Sequence, residues 1–312
     1  MSTATARAIR PPAPAAADLA AAHGNRVTAF ATARERRGTD QPCAWELVSL
    51  AGLAPEPRAA VAWIVAEAIM RDRYGRRTQD FALWRSFALG QITTLDDRQR
   101  RLLTTFATPV FKPQAAGAKK HHGVAGHVGE WLWYLLHEES PHPQGWLNAH
   151  LSVPKVNVND GGADGLIIHR TTAGQTPELV FRLWEMKKFT GQDNSLSATV
   201  TGAFQQMKSS GDLYVMSISG WGDRALTNDP ELGDFVASML DLWIDGDQAS
   251  GAGVSVATNT AAVPDPPRRA FSTAHQHLDH LKHSGQLEGL VIAIDDFEDF
   301  ARHVQELVWS AL

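Results

Sequence analysis

The sequence predicts an α/β fold, in which a mixed sheet is flanked by helices and preceded by a helical N-terminal region. Its 312 residues are 44% hydrophobic and 20% charged, which is typical of globular chains that bury a core. After residue 121, short apolar runs of strand length alternate with helical patterns. No stretch of about 18 consecutive apolar residues occurs, so we predict no membrane-spanning helix and a cytoplasmic protein.

The first part of the chain divides into two regions. Residues 1–22 are rich in Ala and Pro and hold almost no large apolar side chain, which predicts a disordered start. Residues 23–112 form a predicted helical region, because apolar residues recur at helical spacing and Pro or capping residues separate the runs. The predicted helices cover 43–53, about 57–77, 79–89 and 94–107. Pro, Gly and Lys then predict a linker at about 108–120.

Residues 113–312 form the predicted α/β domain, and each element follows from a local pattern. Strands are predicted where apolar and β-branched residues cluster between turn residues, and helices where apolar residues repeat every three or four positions. In chain order we predict a helix at 121–138, strands at 146–158, 164–170 and 179–188, a helix at 195–209, a strand at 212–219, a helix at 231–243, a Gly/Ala/Pro-rich loop at 245–268, a helix at 271–284, a strand at 290–294 and a helix at 297–311.

The charge is distributed unevenly along the chain. Residues 1–120 hold 18 Lys and Arg against 10 Asp and Glu, a net charge of +8, whereas residues 121–312 hold 11 against 24, a net charge of −13. This asymmetry indicates that the first part contacts something acidic and that the second holds a carboxylate-rich site, although two solvated surfaces explain it equally well. The single cysteine, Cys43, excludes an internal disulfide and a thiolate metal site.

Two predicted strands bring acidic residues together. Because side chains alternate along a strand, Glu185 and Lys187 share one face. The strand at 164–170 begins with Asp164, after a Gly-rich turn, and a hairpin with 179–188 places Asp164 near Glu185. Two carboxylates and a lysine there favour a hard cation such as Mg²⁺. Asp160 is an alternative to Asp164, and a simply neutralised pair at a strand end is an alternative reading of Glu185 and Lys187.

Two helices supply further polar candidates. Glu130 lies among aromatic and aliphatic residues of the helix at 121–138, and burying an unpaired charge is costly. A metal or water bridge explains it, as does a salt bridge to Lys119 or Lys120. Gln205 and Gln206 lie on the helix that follows the hairpin, where either can orient a water or phosphate or belong to an exposed polar face.

The order of these elements resembles the PD-(D/E)XK, or restriction-endonuclease-like, nuclease superfamily. The resemblance is carried by Glu130 on a helix, Asp164 at a strand, Glu185-Met186-Lys187 on the next strand and a Gln-bearing helix. Ala163 stands where the family name implies Pro. Within the superfamily, Gly-x-x-Gly-Glu before an apolar helix, Gly-Ala-Asp-Gly and the late Ile-Asp-Asp-Phe-x-x-Phe are similar to the small nuclease subunit of Hachiman anti-phage systems.

The resemblance implies a metal-dependent deoxyribonuclease held by a helicase or other ATPase partner. Asp164 and Glu185 would ligate Mg²⁺ or Mn²⁺, with Glu130 completing the ligand set directly or through water. Lys187 would position the attacking water, and Gln205 or Gln206 would assist. The chain has no Gly-x-x-x-x-Gly-Lys-[Ser/Thr] loop, so we do not expect it to hydrolyse ATP itself.

Two other functions remain open at this point. The chain can be a catalytically silent binding module on the same fold. It can also be a Zn²⁺-dependent hydrolase, because a His-rich segment has ligands at helical spacing, although a solvated helix face is the simpler reading. That segment contains His275, His277, Asp279, His280 and His283.

Overall fold

A computed structural model describes residues 10–112, 122–140, 142, 145–155, 163–171, 178–191, 195–221, 229–263 and 270–312. The strands are β1 (Ala33–Arg37), β2 (Cys43–Ser49), β3 (Leu147–Leu151), β4 (Gly165–Arg170), β5 (Leu179–Phe189), β6 (Ala252–Asn259) and β7 (Leu287–Ile294). The α-helices are α1 (Ala13–Ala22), α2 (Pro55–Tyr74), α3 (Thr78–Ala88), α4 (Asp97–Phe111), α5 (His122–Glu139), α6 (Leu196–Trp221), α7 (Pro230–Asp245), α8 (Ala274–His277) and α9 (Phe297–Trp309). None of the helices in these ranges is both long and apolar enough to cross a membrane.

The strands form one mixed sheet, which confirms the predicted α/β class. Their order is β1-β2-β7-β6-β5-β4-β3. The four consecutive strands β2, β7, β6 and β5 run parallel, while β1 pairs antiparallel with β2 and β4 pairs antiparallel with both β5 and β3. Parallel strands need both faces covered.

Helices cover both faces of this sheet. On one face, α2, α5 and α9 enclose a core that includes Trp63, Trp133 and Trp184, all 2% exposed or less. On the other face, α6 and α7 pack over a second core around Phe181 and Trp243. The sheet is therefore the middle layer of three.

The helix predicted at 43–53 is wrong, because residues 43–49 form strand β2. Side chains of this strand are buried on alternating faces, with Trp45 and Leu47 in one core and Val48 in the other. Burial alternates from Cys43 to Leu47, but the apolar residues Ala44, Trp45 and Leu47 also coincide with helical spacing, which explains the wrong prediction. Strand β6 was missed within the predicted loop at 245–268 because it is buried on both faces and shows no period of two.

The strand predicted at 212–219 is also wrong, because α6 continues through it to Trp221. Leu213 and Met216 are 60% and 50% exposed while Val215 is buried, so the apolar run is exposed on one side of a helix instead of forming a buried strand. Gly211 permits α6 to approach α7, since a Cβ there would lie 2.6 Å from the Trp243 ring. Most of the helix predicted at 271–284 is absent, and only α8 is helical there.

The expectation of a disordered start does not hold for residues 13–22, which form α1 and pack on α2. Ala16, Ala17 and Ala20 are buried, and their small side chains allow the two helices to lie close together. Residues 1–9 and residues 113–120 of the linker predicted at 108–120 lie outside the described residues. The start of that linker prediction is wrong, because residues 108–111 still belong to α4. The domain boundary at 113 stays a prediction, although strands from both sides of it pair in one sheet.

A cluster of buried polar residues lies at the end of the sheet where the parallel strands begin. Glu288 accepts a hydrogen bond from His142 at 2.9 Å and lies 3.5 Å from the Arg182 Nε atom. Burial opposes the ionisation of Glu288, but His142 and Arg182 outweigh it and lower its pKa to about 2. His169 is 1% exposed, and burial, reinforced by His142, lowers its pKa to about 3.

We expect Gly253→Ala to destabilise the protein by about 1–3 kcal/mol, because overpacking a buried contact costs that much. A Cβ at this position would lie 2.5 Å from the Trp184 ring. Gly202→Ala on α6 is the matched control, since nothing lies within 4 Å of its added Cβ. It should stabilise the helix by up to about 1 kcal/mol. Urea unfolding of both variants measures the difference, and equal effects would contradict this packing argument.

We also expect His169 to make stability depend on pH. Its pKa is about 3 in the folded protein against 6.5 for an unperturbed side chain, so below pH 6.5 the unfolded chain takes up a proton that the folded chain does not. This group alone lowers the free energy of unfolding by up to about 1.4 kcal/mol per pH unit as pH falls from 6.5 towards 3.

His169→Gln should therefore flatten the pH dependence of urea unfolding between pH 6.5 and 4.5, relative to the parent protein. The comparison with the parent cancels the other titrating groups near this residue, which are His137, His142, Arg182 and Glu288. His275→Gln replaces an exposed histidine and is the control. An unchanged slope in His169→Gln would show that the buried ring is already charged in the folded protein.

Candidate active site

The hairpin of β4 and β5 places Asp164 beside Glu185. Gly165 pairs with Trp184 in an antiparallel register. Asp164, which precedes Gly165, therefore lies at the same level as Glu185, which follows Trp184. Gly165 is required there because a Cβ would lie 2.5 Å from the Trp133 ring. The predicted hairpin is confirmed, while Asp160 lies outside the described residues.

Alternation along β5 separates two kinds of side chain. Trp184 and Met186 belong to the core under α5, whereas Leu183 and Phe189 belong to the core under α6. Glu185 and Lys187 alternate with the first pair and therefore face α6. The predicted shared face of these two residues is present.

The carboxylates of Asp164 and Glu185 are only partly satisfied. Asp164 Oδ2 accepts a hydrogen bond from the backbone N–H of Met186 at 2.7 Å. Glu185 is 1% exposed, and its Oε1 accepts a short hydrogen bond from the Lys187 Nζ atom. Its Oε2 is buried and has no hydrogen-bond partner among the described residues. A buried carboxylate oxygen without a partner is costly unless a cation or donor completes it.

Lys187 is held from two sides. Besides Glu185, its ammonium donates to Oε1 of Gln206 at 3.0 Å. The Gln206 amide in turn donates to the hydroxyl of Tyr214 at 3.2 Å, and Tyr214 lies eight residues further along α6. Gln205 is exposed, so the structure brings Gln206 and not Gln205 to the lysine. Tyr214 was missed because the sequence predicted its segment to be a strand.

Glu130 approaches the site from α5, and its orientation is fixed by a histidine one turn earlier. Trp131 Nε1 donates to His127 Nε2 at 3.2 Å, so that nitrogen must be the acceptor. The proton is then on Nδ1, which lies 3.3 Å from Glu130 Oε2 and donates to it. His127 is 1% exposed. The alternative partners Lys119 and Lys120 lie outside the described residues.

The three carboxylates repel one another electrostatically. Burial and the charge of Glu185 raise the pKa of Asp164 to about 7, against the lowering effect of the Met186 N–H, and Glu130 adds to the rise. Burial also raises the pKa of Glu185, although Lys187 opposes the shift. Such repulsion favours a bound cation. Carboxylates that have an oxygen without a hydrogen-bond partner are suitable ligands for Mg²⁺ or Mn²⁺, so these residues fit either cation.

The site is not a preformed metal cage. No group of three or more His, Cys, Asp or Glu side chains in the described ranges is arranged to hold a metal ion. Lys187 currently neutralises Glu185, so a divalent cation would have to compete with its ammonium. Mg²⁺ tolerates few protein ligands because it retains several waters.

The His-rich segment does not form a second metal site. α8 ends at His277, and the ring of His280 packs edge-on against Trp243 with centroids 5.0 Å apart. Burial lowers the pKa of His280. His275 is exposed. The predicted helical spacing is therefore not realised, and the structure offers no support for the zinc hydrolase alternative.

Comparison with known proteins adds no assignment. No protein-family model matches the chain, and no curated protein is similar enough to be a relative. A functional proposal therefore rests on the sequence and on the geometry of the described residues.

We expect Asp164→Asn and Glu185→Gln each to weaken Mn²⁺ binding at least tenfold, because each removes a charged ligand. Lys187→Met should instead strengthen binding, since it removes a competing positive charge and frees Glu185 Oε1. Isothermal titration with Mn²⁺ measures all three affinities. Asp234→Asn, which neutralises an exposed acid on α7, should leave the affinity unchanged. If this control weakens binding as much as the site variants, Mn²⁺ binds elsewhere.

Proposed function

We propose that this chain is a Mg²⁺- or Mn²⁺-dependent nuclease that hydrolyses phosphodiester bonds of DNA on a restriction-endonuclease-like fold. The observation that carries the proposal is the contact set at the end of the β4–β5 hairpin. There Asp164 lies beside Glu185, whose second oxygen has no partner among the residues that the structure describes, and Lys187 is fixed between Glu185 and Gln206. These are the residue types that metal-assisted phosphodiester hydrolysis needs within one site.

Each residue of the site has a separate role in the proposed reaction. Asp164 and Glu185 would hold the metal, with Glu130 contributing directly or through water. The chemistry supplied by the metal when bound is neutralisation of charge on the phosphate and activation of a water. The Lys187 ammonium, free to reach the phosphate once the carboxylate is otherwise neutralised, positions the attacking water and stabilises the negative charge that develops. Gln206 and Tyr214 orient that ammonium.

The charge distribution supports a partner that engages DNA. Residues 121–312, with a net charge of −13, bind a phosphate backbone poorly, because such contacts need basic side chains. Basic residues are available before them, for example Arg98, Arg100 and Arg101, which are exposed on α4. We therefore propose that a helicase or other ATPase partner delivers DNA and restrains the nuclease until a complex forms. A cytoplasmic anti-phage defence system is the proposed setting.

A catalytically silent binding module is the second candidate. It is favoured by the salt bridge of Lys187 to Glu185, which neutralises that carboxylate without a metal, and by the missing preformed cage among the described residues. The two candidates differ in one measurable property, which is turnover of a phosphodiester.

We expect cleavage of supercoiled, linear or single-stranded DNA with Mg²⁺ or Mn²⁺, and its loss in Glu185→Ala/Lys187→Ala. Lys187→Ala alone should lower kcat at least about 100-fold, because a positioned charge donor of this kind contributes that much. Gln206→Ala should lower kcat about tenfold, since it removes a contact to Lys187 but no charge. Gel electrophoresis of time courses measures the rates.

Gln205→Ala is the matched control on the same helix, and its rate should stay within about twofold of the parent because this side chain is exposed. If the parent protein is silent alone, the assay is repeated with the product of the neighbouring gene. Silence in both assays would support the binding module. Efficient cutting by the chain alone at physiological salt would refute the need for a partner.

A further inference from the structure

The exposed side of α4 carries three arginines that form no contact within the fold. Arg98, Arg100 and Arg101 are all exposed. None of their side chains forms an ion pair or a hydrogen bond with the residues that the structure describes. We call these residues the α4 arginines. Their guanidinium groups are available to a ligand.

The position of the α4 arginines within the helix is unfavourable. Because α4 begins at Asp97, Arg98 lies in its first turn and the other two follow within one more turn. The positive end of the helix dipole disfavours basic side chains there. Arg98 and Arg101 are also one turn apart, so their like charges repel. Helix stability therefore does not account for these arginines, in contrast to Arg71 and Arg73, which lie in the last turn of α2.

An open groove of about 510 Å³ runs along this side of α4. Its lining consists of Asp97, Arg100, Arg101, Thr104, Thr105 and Thr108. The three threonine hydroxyls donate to the backbone carbonyls four residues earlier, so the arginines supply the charged donors of the groove. The threonine side chains are short and leave space beside the guanidinium groups. An anion can therefore approach Arg100 and Arg101 without breaking a side-chain contact.

The groove fits an extended polyanion better than a small anion or a protein. From Asp97 to Thr108 the helix rises by about 16 Å, which is long enough for several phosphates of a nucleic acid backbone. Protein interfaces depend on buried aromatic or aliphatic anchor residues, and the described residues of this lining include none. A phosphate backbone needs only positive charge and hydrogen-bond donors, which the arginines provide.

The C-terminal end of α4 is held beside the helix that carries Glu130. Arg73 of α2 donates to the backbone carbonyl of Pro109 at 2.8 Å. The Phe111 ring packs against His127 with centroids 5.7 Å apart, and His127 donates in turn to Glu130. α4 is therefore fixed in position, and it ends next to the part of α5 that contributes to the candidate active site.

We propose that the α4 arginines bind the phosphate backbone of a nucleic acid without reading its sequence. Guanidinium groups bind phosphate oxygens through paired, charge-assisted hydrogen bonds, and such contacts weaken as salt is added. This role rests on the proposed function and extends it, because it assigns a surface of this chain to the substrate that a partner delivers. It also gives a use to the net charge of +8 in residues 1–120, which the acidic remainder of the chain cannot replace.

The test is fluorescence anisotropy of labelled single-stranded and duplex DNA with the full-length protein in EDTA, over a series of salt concentrations. We expect the parent to bind at low salt and the triple variant Arg98→Ala/Arg100→Ala/Arg101→Ala to bind at least about tenfold more weakly. The slope of log K against log salt should also become shallower in the triple variant. The expected change is about 0.9 per arginine for duplex DNA and about 0.7 for single strands.

Three control measurements separate this surface from a general effect of net charge. Arg36→Ala removes an exposed arginine of β1 that has no ion pair with the described residues and does not line the groove, so it should bind DNA as the parent does. Arg101→Lys keeps the charge and should keep the salt slope. Arg101→Ala alone tests the slope if the triple variant fails to fold by circular dichroism. Poly-glutamate of equal charge should compete less well than DNA.

The proposal is overturned if neither form of DNA binds at low salt, or if the folded arginine variants bind with the affinity and salt slope of the parent. It is also overturned if Arg36→Ala weakens binding as much as Arg101→Ala, because net charge would then explain the effect. Poly-glutamate that competes as well as DNA would assign the surface to an acidic protein segment instead. EDTA prevents metal-dependent hydrolysis, so DNA that binds as expected but is not cut with Mg²⁺ or Mn²⁺ would refute the nuclease and support the α4 surface.

Discussion

The candidate site depends on the antiparallel pairing of β4 with β5. This pairing sets Asp164 at the level of Glu185, and the backbone N–H of Met186 then holds the aspartate in place at 2.7 Å. A register shift of one residue would turn Glu185 towards α5 and bury Trp184 against α6. The register is fixed from the other side as well, because β5 pairs with β6 in the buried centre of the sheet.

Burial and mutual repulsion both oppose the ionisation of clustered carboxylates, which explains why the pKa of Asp164 and of Glu185 is raised. The chain offsets part of this cost with Lys187, which donates a hydrogen bond to Glu185. The same lysine is then available as a positioned cation when another charge takes over neutralisation of Glu185. A single side chain thus links the stability of the fold to the proposed chemistry, and Gln206 and Tyr214 restrict where its ammonium can go.

Sequence patterns predicted the part of the fold that surrounds the carboxylates. The strands β4 and β5 follow from clusters of apolar residues between turn residues, and the pairing of Asp164 with Glu185 follows from the hairpin. Strand β6 could not be predicted from a period of two because it is buried on both faces, and β2 was mistaken for a helix because Ala44, Trp45 and Leu47 also fit helical spacing. Tyr214 was missed because the apolar residues around it were assigned to a strand, although they belong to α6.

Two glycines allow the two faces of the sheet at β5 to differ in character. Trp133 and Trp184 pack closely against the sheet only because Gly165 and Gly253 carry no Cβ, which would otherwise lie 2.5 Å from their rings. These two indoles fill the α5 face of the hairpin with apolar volume, while Glu185 and Lys187 lie on the opposite face, under α6. The other charged residues of β5, Arg182 and Lys188, share the α5 face and are paired there with Glu288 and Glu298. The alternation of β5 therefore separates the candidate site from the buried indoles and these ion pairs, at a distance of one residue along the chain.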